Sequence, residues 1–271
     1  MKILVVRVKG IGNMVMFTPA LLALRKALPD AKISLLADKG SIEVVRGSGV
    51  VDEVIPFDVS DSILKNLKLL FWLRKRNFDC SIMTFPANKL QFNLLSILVG
   101  ARKRITHSYK GQKLKTLYFL QNVRVPAMEN IHDVEQNLRL LRAFGISNPG
   151  RKQFFYLEKE NVAFAKTFFM KNRLRNVIAM HPGCGEDSLY KRWPAEHFTR
   201  LLELLHKTEY VPLLIAGPGE ESLVAKINAP LKKKAAVLQG TSVKNVGAVI
   251  ALCSAFLSTD SGLGHIASAL D

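Results

Sequence analysis

The chain has 271 residues, which is enough for two α/β domains of ordinary size, and its formal net charge is +17 at pH 7. Its three cysteines, Cys80, Cys184 and Cys253, lack metal-ligand spacing, and their odd number argues against a disulfide framework. Arg7 and Lys9 interrupt any signal-peptide core, and no apolar run has the length of a membrane span. We therefore expect a protein of a reducing compartment, neither a disulfide scaffold nor an integral membrane protein.

Apolar runs and helical spacing alternate along the first half of the chain. The runs predict strands at residues 2–8, 32–37, 53–56, 80–84 and 103–106. The spacing predicts helices at residues 13–28, 62–76, 88–99 and 130–144. Because Pro19 lies inside the first of these helices, we expect a kink or an irregular first turn there.

A loop rich in turn formers, residues 145–150, precedes a second alternating series. This series predicts strands at residues 177–181, 211–216, 235–238 and 255–258. It predicts helices at residues 158–172, 195–207, 219–228 and 243–252, with another starting near Ser261.

The alternation of strands and helices predicts an α/β fold with parallel sheets. We expect two Rossmann-like, doubly wound domains, residues 1–150 and 151–271, which face each other across a cleft. The second sheet would have four strands, and the chain ends at Asp271 within or after its last helix. We therefore expect the second domain to be incomplete at its carboxyl end.

Two glycines, Gly10 and Gly12, follow the first predicted strand. Glycines at such a turn indicate that the backbone approaches a ligand or another chain segment closely. A dinucleotide site would also need a third glycine, but Val15 stands at that position. In such a dinucleotide site, Asp38 at the end of the second strand would bind the ribose. A nicotinamide-dependent oxidoreductase therefore remains an alternative hypothesis.

The segment Ser258–His265 joins a predicted strand to a predicted helix through Asp, Ser and Gly residues. Backbone N–H groups and the positive end of the helix dipole suit a phosphate at such a turn. The alternative is that Asp260 or Ser261 is only a helix cap. Lys191 and Arg192 follow another strand of the same sheet, where Lys191 is suited to neutralise a diphosphate. The alternative is an ordinary surface lysine beside Trp193, which is expected to pack in the core.

Positive charge is concentrated in residues 1–150, which carry 23 Lys and Arg against 11 Asp and Glu. Two clusters dominate, within residues 62–76 and 102–115, and both adjoin apolar residues. No nucleic-acid-binding motif accompanies them. An anionic membrane surface, a soluble anionic substrate and an ordinary solvated face remain the alternatives.

Several motifs occur in an order that resembles the heptosyltransferase-like glycosyltransferases, glycosyltransferase family 9 (ADP-heptose:lipopolysaccharide heptosyltransferase-like). The similarity covers essentially the whole chain. Its motifs are Gly10-Ile-Gly-Asn-Met, Thr18-Pro-Ala-Leu-Leu, Pro29-Asp-Ala, His132-Asp-Val-Glu-Gln-Asn-Leu, Leu141 to Gly145, His181-Pro-Gly, Lys191-Arg-Trp-Pro and Asp260-Ser-Gly-Leu-Gly-His.

The resemblance implies a GT-B fold with an acceptor-binding first domain and a nucleotide-sugar-binding second domain. It implies an inverting transfer of a sugar, without a metal or a cofactor, from a nucleotide diphosphate donor such as ADP-heptose. The acceptor would be the lipopolysaccharide core or another surface glycan, an anionic glycolipid, and nucleic acid is not expected as a partner. The enzyme would act in the cytoplasm, at the inner face of the inner membrane, with peripheral contact to that membrane.

The same resemblance assigns residues to the two halves of the site. On the donor side it implies Lys191 for the diphosphate, and Glu220 or Glu221 for the nucleoside. The sugar- and phosphate-binding turn would comprise Asp260, Ser261, Gly262, Leu263 and His265. The acceptor side would comprise Gly10, Gly12, Asn13 and Thr18.

The chain departs from the family pattern at Asn13, where the family has an Asp that is taken as the general base. An amide cannot accept a proton at neutral pH, although its carbonyl oxygen can orient a hydroxyl. His107, His132 and Asp133 are alternative bases. A relative that binds nucleotide sugar without transferring it is the main alternative function.

Overall fold

A computed structural model describes residues 1–7, 10–58, 60–86, 89–147 and 149–270, with the backbone alone for residues 186–188. Val8 and Asn88, which the predicted first strand and third helix include, lie outside the described residues. The chain divides into two compact units, Met1–Phe154 and Phe155–Asp271. The division therefore comes four residues after the boundary predicted from the 145–150 loop.

The first unit contains one parallel sheet. Its described strands are β1 (Lys2–Arg7), β2 (Lys32–Ala37), β3 (Glu53–Pro56), β4 (Cys80–Met83), β5 (Lys103–Ser108) and β6 (Val123–Pro126). They lie in the order β3-β2-β1-β4-β5-β6, with Ile3 paired to Ile33 on one side and to Cys80 on the other. The order reverses direction between β1 and β4, as in dinucleotide-binding folds.

Helices cover both faces of this sheet. Those described are α1 (Ile11–Ala27), α2 (Lys39–Glu43), α3 (Ile63–Lys75), α4 (Leu90–Val99), α5 (Lys113–Thr116) and α6 (Asp133–Leu140). Leu73 of α3 and Val99 of α4 share one core cluster with Leu4 and Val6 of β1, so these two helices pack on the same face of the sheet. α1 packs against α6.

Pro19 does not interrupt α1, which continues from Ile11 to Ala27. Proline has no N–H, so the carbonyl of Val15, four residues earlier, loses its usual helical donor. The hydroxyl of Thr18 donates to that carbonyl oxygen at 2.7 Å. A neighbouring side chain thus replaces the missing backbone bond, which helps the helix to continue past Pro19.

The second unit contains a parallel sheet whose described strands are β7 (Val177–His181), β8 (Val211–Ile215), β9 (Ala236–Leu238) and β10 (Ala255–Ser258), in the order β10-β7-β8-β9. Its described helices are α7 (Lys159–Lys171), α8 (Ala195–Leu205), α9 (Glu221–Asn228), α10 (Val243–Ile250) and α11 (Gly262–Ala269). Ala179 packs with α7 and α10, whereas Met180 packs with α8 and α9. Successive residues of a strand point to opposite faces, so both faces are covered.

Within the described residues, no helix has both the length and the apolar composition that crossing a membrane requires.

Candidate functional site

The carboxyl ends of β7 and β10 lie side by side in the second unit. β8 and β9, which follow β7 in the chain, lie on one side of it in the sheet, and β10 pairs with it on the other side. The hydroxyl of Thr259 donates to the carbonyl of Gly183, which joins the loops that follow the two strands. Open α/β sheets bind ligands at such a reversal of strand order.

His181, the last residue of β7, connects both loops to the start of α9. Its Nε2 lies 2.8 Å from Oε2 of Glu220, and its Nδ1 lies 3.1 Å from the hydroxyl of Ser261. An ionised carboxylate can only accept, so Nε2 carries the proton. In the neutral ring Nδ1 then accepts from the Ser261 hydroxyl, which fixes the orientation of both partners.

Glu220 is buried, and its carboxylate is held on several sides. Burial alone would raise its pKa, but hydrogen bonds from His181 and from the N–H of Gly217, with the electrostatic interactions with His181 and Arg192, outweigh burial and lower the pKa below its ordinary value. Gly183 leaves the space that this carboxylate occupies, since a Cβ there would lie 1.8 Å from Oε1.

The two predicted acids of this loop therefore have different surroundings. Glu220 belongs to the hydrogen-bonded group around His181. Glu221 is exposed at the first position of α9 and, in the part of the chain that the structure describes, makes no side-chain hydrogen bond. Only Glu220 comes together with the other residues of the β7 and β10 loops.

Ser261 occupies the cap position of α11, but its side chain makes no capping hydrogen bond. Because the hydroxyl is bonded to His181 instead, the simple capping alternative does not describe it. The first N–H groups of a helix have no partner within the helix, and they coincide with the positive end of its dipole. The start of α11, at Gly262 and Leu263, thus has the geometry of an anion site.

Gly264 and Leu263, which follow Ser261 and Gly262, each pack against neighbouring parts of the second unit. A Cβ on Gly264 would lie 2.7 Å from the hydroxyl oxygen of Ser258, so glycine allows α11 to approach β10 closely. The side chain of Leu263 packs against the core. Leu263 can therefore contact a ligand through its backbone amide.

Lys191 forms an ion pair with Asp260 across the two loops, with Nζ 2.5 Å from Oδ2. The hydrogen bond from Lys191 lowers the pKa of Asp260 and outweighs its slight burial, and His265 adds to this lowering. The same bond raises the pKa of Lys191. Both groups are accordingly charged at neutral pH, and the Lys191 side chain is 32% exposed.

Trp193, which was expected in the core, is 43% exposed. Its ring stacks on His197 at 5.2 Å and meets Phe198 edge to face at 5.0 Å. The prediction was wrong because only one face of the indole packs against the first turn of α8.

In the first unit, α1 begins at Ile11, directly after Gly10. Gly10 has φ 102°, a conformation that favours glycine, and a Cβ there would lie 3.1 Å from Nδ2 of Asn13. Gly12 is buried, whereas Asn13 is partly exposed in the first turn. The structure thus brings Gly10 and Asn13 together at the carboxyl end of β1.

Thr18 does not belong to this group. It is fully buried, donates to Val15 and accepts a hydrogen bond from the N–H of Phe154 at 3.0 Å. Its hydroxyl is therefore occupied within the fold, and it is not available for the acceptor contact that the resemblance implied.

The three alternative bases, His107, His132 and Asp133, differ in burial and in the hydrogen bonds that they make. His107 is fully buried between the carbonyls of Val125 and Gln136, and burial lowers its pKa to about 4. His132 caps α6 by accepting from the N–H of Val134. Asp133, in the first turn of α6, is partly exposed and interacts electrostatically with Arg7.

Asp38, the ribose-binding acid of the nicotinamide hypothesis, caps α2. Its carboxylate accepts from the N–H of Ser41 at 3.0 Å and from the Ser41 hydroxyl at 2.5 Å.

The sequence motifs did not give His181 a role, although its position at a strand end before Pro-Gly was a usable signal. Among the described residues, no three His, Cys, Asp or Glu side chains come together as a metal site.

Comparisons with known proteins agree with this architecture. A sequence profile of glycosyltransferase family 9 (heptosyltransferase) matches residues 67–271. Lipopolysaccharide heptosyltransferase 3 of Escherichia coli K12 is 23% identical over 276 residues, which cover 96% of this chain and 77% of the relative.

Two solved structures are also similar. A glycosyl transferase family 9 structure from Veillonella parvula aligns with a TM-score of 0.85 at 20% identity, over 99% of this chain and 78% of its own. E. coli ADP-heptose LPS heptosyltransferase II aligns with a TM-score of 0.81 at 26% identity, over 100% of this chain and 82% of its own. These similarities confirm the predicted α/β fold class.

Proposed function

Because the chain belongs to glycosyltransferase family 9, the heptosyltransferases, and has their GT-B fold, we propose that it transfers a heptose or related sugar from a nucleotide diphosphate donor to a surface glycan. By analogy with its relatives, the donor is ADP-heptose or a close analogue, and the acceptor is the lipopolysaccharide core. The chain is therefore a glycosyltransferase, and its substrates are the proposal.

One observation carries the proposal: Lys191 and the start of α11 lie on neighbouring loops, at the point where strand order reverses. A diphosphate there would meet backbone N–H groups, a helix dipole and an ammonium group. The His181 bridge to Glu220 and Ser261 supports the same reading, because it holds both loops in place before a ligand arrives.

The reaction we propose is a direct displacement. An acceptor oxygen forms a bond to the anomeric carbon while the bond from that carbon to the diphosphate oxygen breaks, and the electron pair leaves with the nucleoside diphosphate. Attack from the face opposite the leaving group inverts the configuration. Lys191 and the α11 amides stabilise the charge that develops on the leaving diphosphate. We propose that these groups suffice without a metal or a cofactor.

On the acceptor side, we propose that the carbonyl oxygen of Asn13 orients the attacking hydroxyl. The proton then needs another acceptor. Neither His107 nor His132 is suited to this, since both are engaged by backbone groups. Asp133 remains the candidate base because its carboxylate is partly exposed.

The acceptor class implies a location. A glycolipid built on the inner membrane is reached from the cytoplasm, so we propose that the enzyme acts at that face. The lipid anchor of the acceptor would keep the reaction at the bilayer surface.

Transfer is tested by incubating the full chain with ADP-heptose and a heptose-deficient lipopolysaccharide core. We expect release of ADP and a gain of one heptosyl unit in the acceptor mass, with an inverted anomeric centre by NMR and full activity in EDTA. Lys191→Ala is the inactive control.

The second candidate function is donor binding without transfer, which the amide at Asn13 favours. It predicts a calorimetric signal when the donor is titrated into the chain, but no ADP release above the Lys191→Ala background in the transfer assay. Absence of donor binding would contradict both functions.

A further inference from the structure

The helices α3 and α4 present apolar side chains on their outward sides. On α3, Ile63, Leu67 and Phe71 are exposed by 78%, 44% and 64%. Residues four apart lie on the same face of a helix, so these three form one stripe. The inward residues of α3, such as Leu73, pack in the core. The stripe is therefore not the core-facing side of the helix.

A second stripe runs along α4. Leu90, Leu94 and Leu98 are all exposed and also recur every four residues. Arg74 at the end of α3 donates to the carbonyl of Leu98 at 2.9 Å, which places the carboxyl ends of the two helices side by side. We call these two stripes the apolar surface.

Positive charge predominates around the apolar surface, although two acids, Asp61 and Glu53, form ion pairs with Lys65 and Arg76 of the α3 segment. Residues 62–128 contain thirteen Lys and Arg but no Asp or Glu other than Asp79. Lys68 and Lys75 of α3 are exposed beside the first stripe. Leu114, between Lys113 and Lys115 on α5, is 79% exposed. An apolar surface among cations suits an anionic lipid bilayer, in which acyl chains accept the apolar side chains and headgroups attract the lysines.

Not every basic residue of the 102–115 cluster is available to this surface. Lys103 donates to the carbonyl of Ala143, and Arg104 donates to those of Ala101 and Leu120. These two residues of the 102–115 cluster therefore stabilise the fold. A second copy of the chain is a poor occupant for the apolar surface, since two surfaces of the same charge repel each other.

The position of the apolar surface suits a lipid-anchored acceptor. Because α3 follows β3 and α4 follows β4, both helices begin at the carboxyl edge of the sheet. Gly10 and Asn13 lie at the same edge, directly after β1. Ile63 and Leu90, at the starts of the two stripes, are thus on the acceptor side of the unit.

We propose that the apolar surface docks the first unit on a bilayer rich in anionic phospholipid, with Lys68, Lys75, Lys113 and Lys115 at the headgroups. This inference deepens the proposed function, because it supplies the surface from which a glycolipid acceptor is reached. It is tested without donor or acceptor, so its failure is distinguishable from failure of transfer.

The test is flotation of the full chain with vesicles of phosphatidylcholine alone or with phosphatidylglycerol added. We expect binding only to the anionic vesicles, weakened by salt. Leu67→Gln/Phe71→Gln should reduce the partition coefficient at least tenfold, whereas Met170→Gln, an equally exposed apolar residue of α7 in the second unit, should leave it unchanged. Thermal unfolding of each variant checks that it folds.

A charge variant keeps the proposal testable if the apolar variant is unstable. Lys68→Gln/Lys75→Gln should weaken binding about fivefold per lysine, the equivalent of ~1 kcal/mol each. Lys166→Gln/Lys171→Gln on α7 is the matched control. Trp72, exposed on α3, should shift its emission to the blue in a Trp193→Phe background.

Equal binding to neutral and anionic vesicles, or equal loss in the α7 controls, would overturn the proposal. Absence of vesicle binding with an intact fold would point to a protein partner instead. Retained transfer to a soluble, delipidated acceptor in the Leu67→Gln/Phe71→Gln variant would locate the defect in docking.

Discussion

The ammonium group of Lys191 lies 2.5 Å from the carboxylate of Asp260, so the lysine proposed to bind a diphosphate is held by an acid from the opposite loop. This pair places Lys191 beside the start of α11. It also places a negative charge where the phosphates would lie. Asp260 therefore has two opposing effects, since it positions the cation and repels the anion.

Asp260→Asn should release Lys191 and remove the repulsion. We expect the affinity for ADP to rise roughly twofold to fivefold, the scale of an exposed charge interaction, as measured by calorimetric titration. Glu203→Gln on α8 is a control that keeps the same charge change away from the loops. Weaker ADP binding in Asp260→Asn would show that positioning of Lys191 dominates.

Gly183→Ala should disrupt the donor loops, because its Cβ would lie 1.8 Å from Oε1 of Glu220. Glu220 cannot stay in place, and its bond to His181 would be lost. We expect a loss of ~1–3 kcal/mol in the free energy of unfolding and weaker ADP binding. Urea unfolding measures the first quantity.

The matched control for that substitution is Gly185→Ala. Gly185 has φ −56°, and among the described residues other than its chain neighbours no heavy atom lies within 4 Å of an added Cβ. Equal effects of the two substitutions would mean that the Glu220 contact is not responsible.

The buried His107 should make stability depend on pH. Burial lowers its pKa from 6.5 to about 4, so between these values the unfolded chain binds a proton that the folded chain does not. Stability should accordingly fall as the pH drops from about 6.5 towards 4, by on the order of 3 kcal/mol for this group.

The comparison is His107→Gln, which retains a donor but cannot titrate. We expect its unfolding free energy, measured by urea at pH steps between 4 and 7, to change less with pH than that of the native chain. Parallel curves for the two proteins would contradict the assignment.

Asn13→Asp tests the departure from the family pattern. If Asn13 orients the acceptor through its carbonyl oxygen, a carboxylate should leave turnover unchanged or lower it. If the native chain lacks only a base, the substitution should raise turnover by about 10²–10⁴-fold and add an acidic limb to the pH–rate curve. The measurement is initial rate against pH for both forms.

Periodicity alone predicted most of the strands and the longer helices, but not the short edge elements. β6 was missed because Arg124 and Pro126 alternate with two half-buried valines, which leaves little apolar signal. α2 was missed because it has five residues. Asp38, which caps it, was considered in the sequence only as the ribose-binding acid of the alternative nicotinamide hypothesis.

The Lys191 and Asp260–Leu263 loops were expected to converge because strand ends of a parallel sheet meet at one edge. The Lys191–Asp260 ion pair joins them in the structure, whereas their roles in binding stay predictions. No spacing rule distinguishes Glu220 from Glu221, since only the packing against Gly183 and His181 separates them. Likewise, the motif alone suggested Thr18 as an acceptor-binding residue. In the structure its hydroxyl donates to the carbonyl of Val15, which Pro19 leaves without a helical donor.

The proposed donor site requires that the second unit bind a nucleoside diphosphate through Lys191 and the start of α11. Calorimetric titration of ADP into the native chain, Lys191→Ala and the surface control Lys207→Ala tests it most directly. We expect an affinity about tenfold to a hundredfold weaker for Lys191→Ala, the scale of a lost charge-assisted hydrogen bond, and no change for Lys207→Ala. Equal affinity of all three proteins for ADP would contradict it.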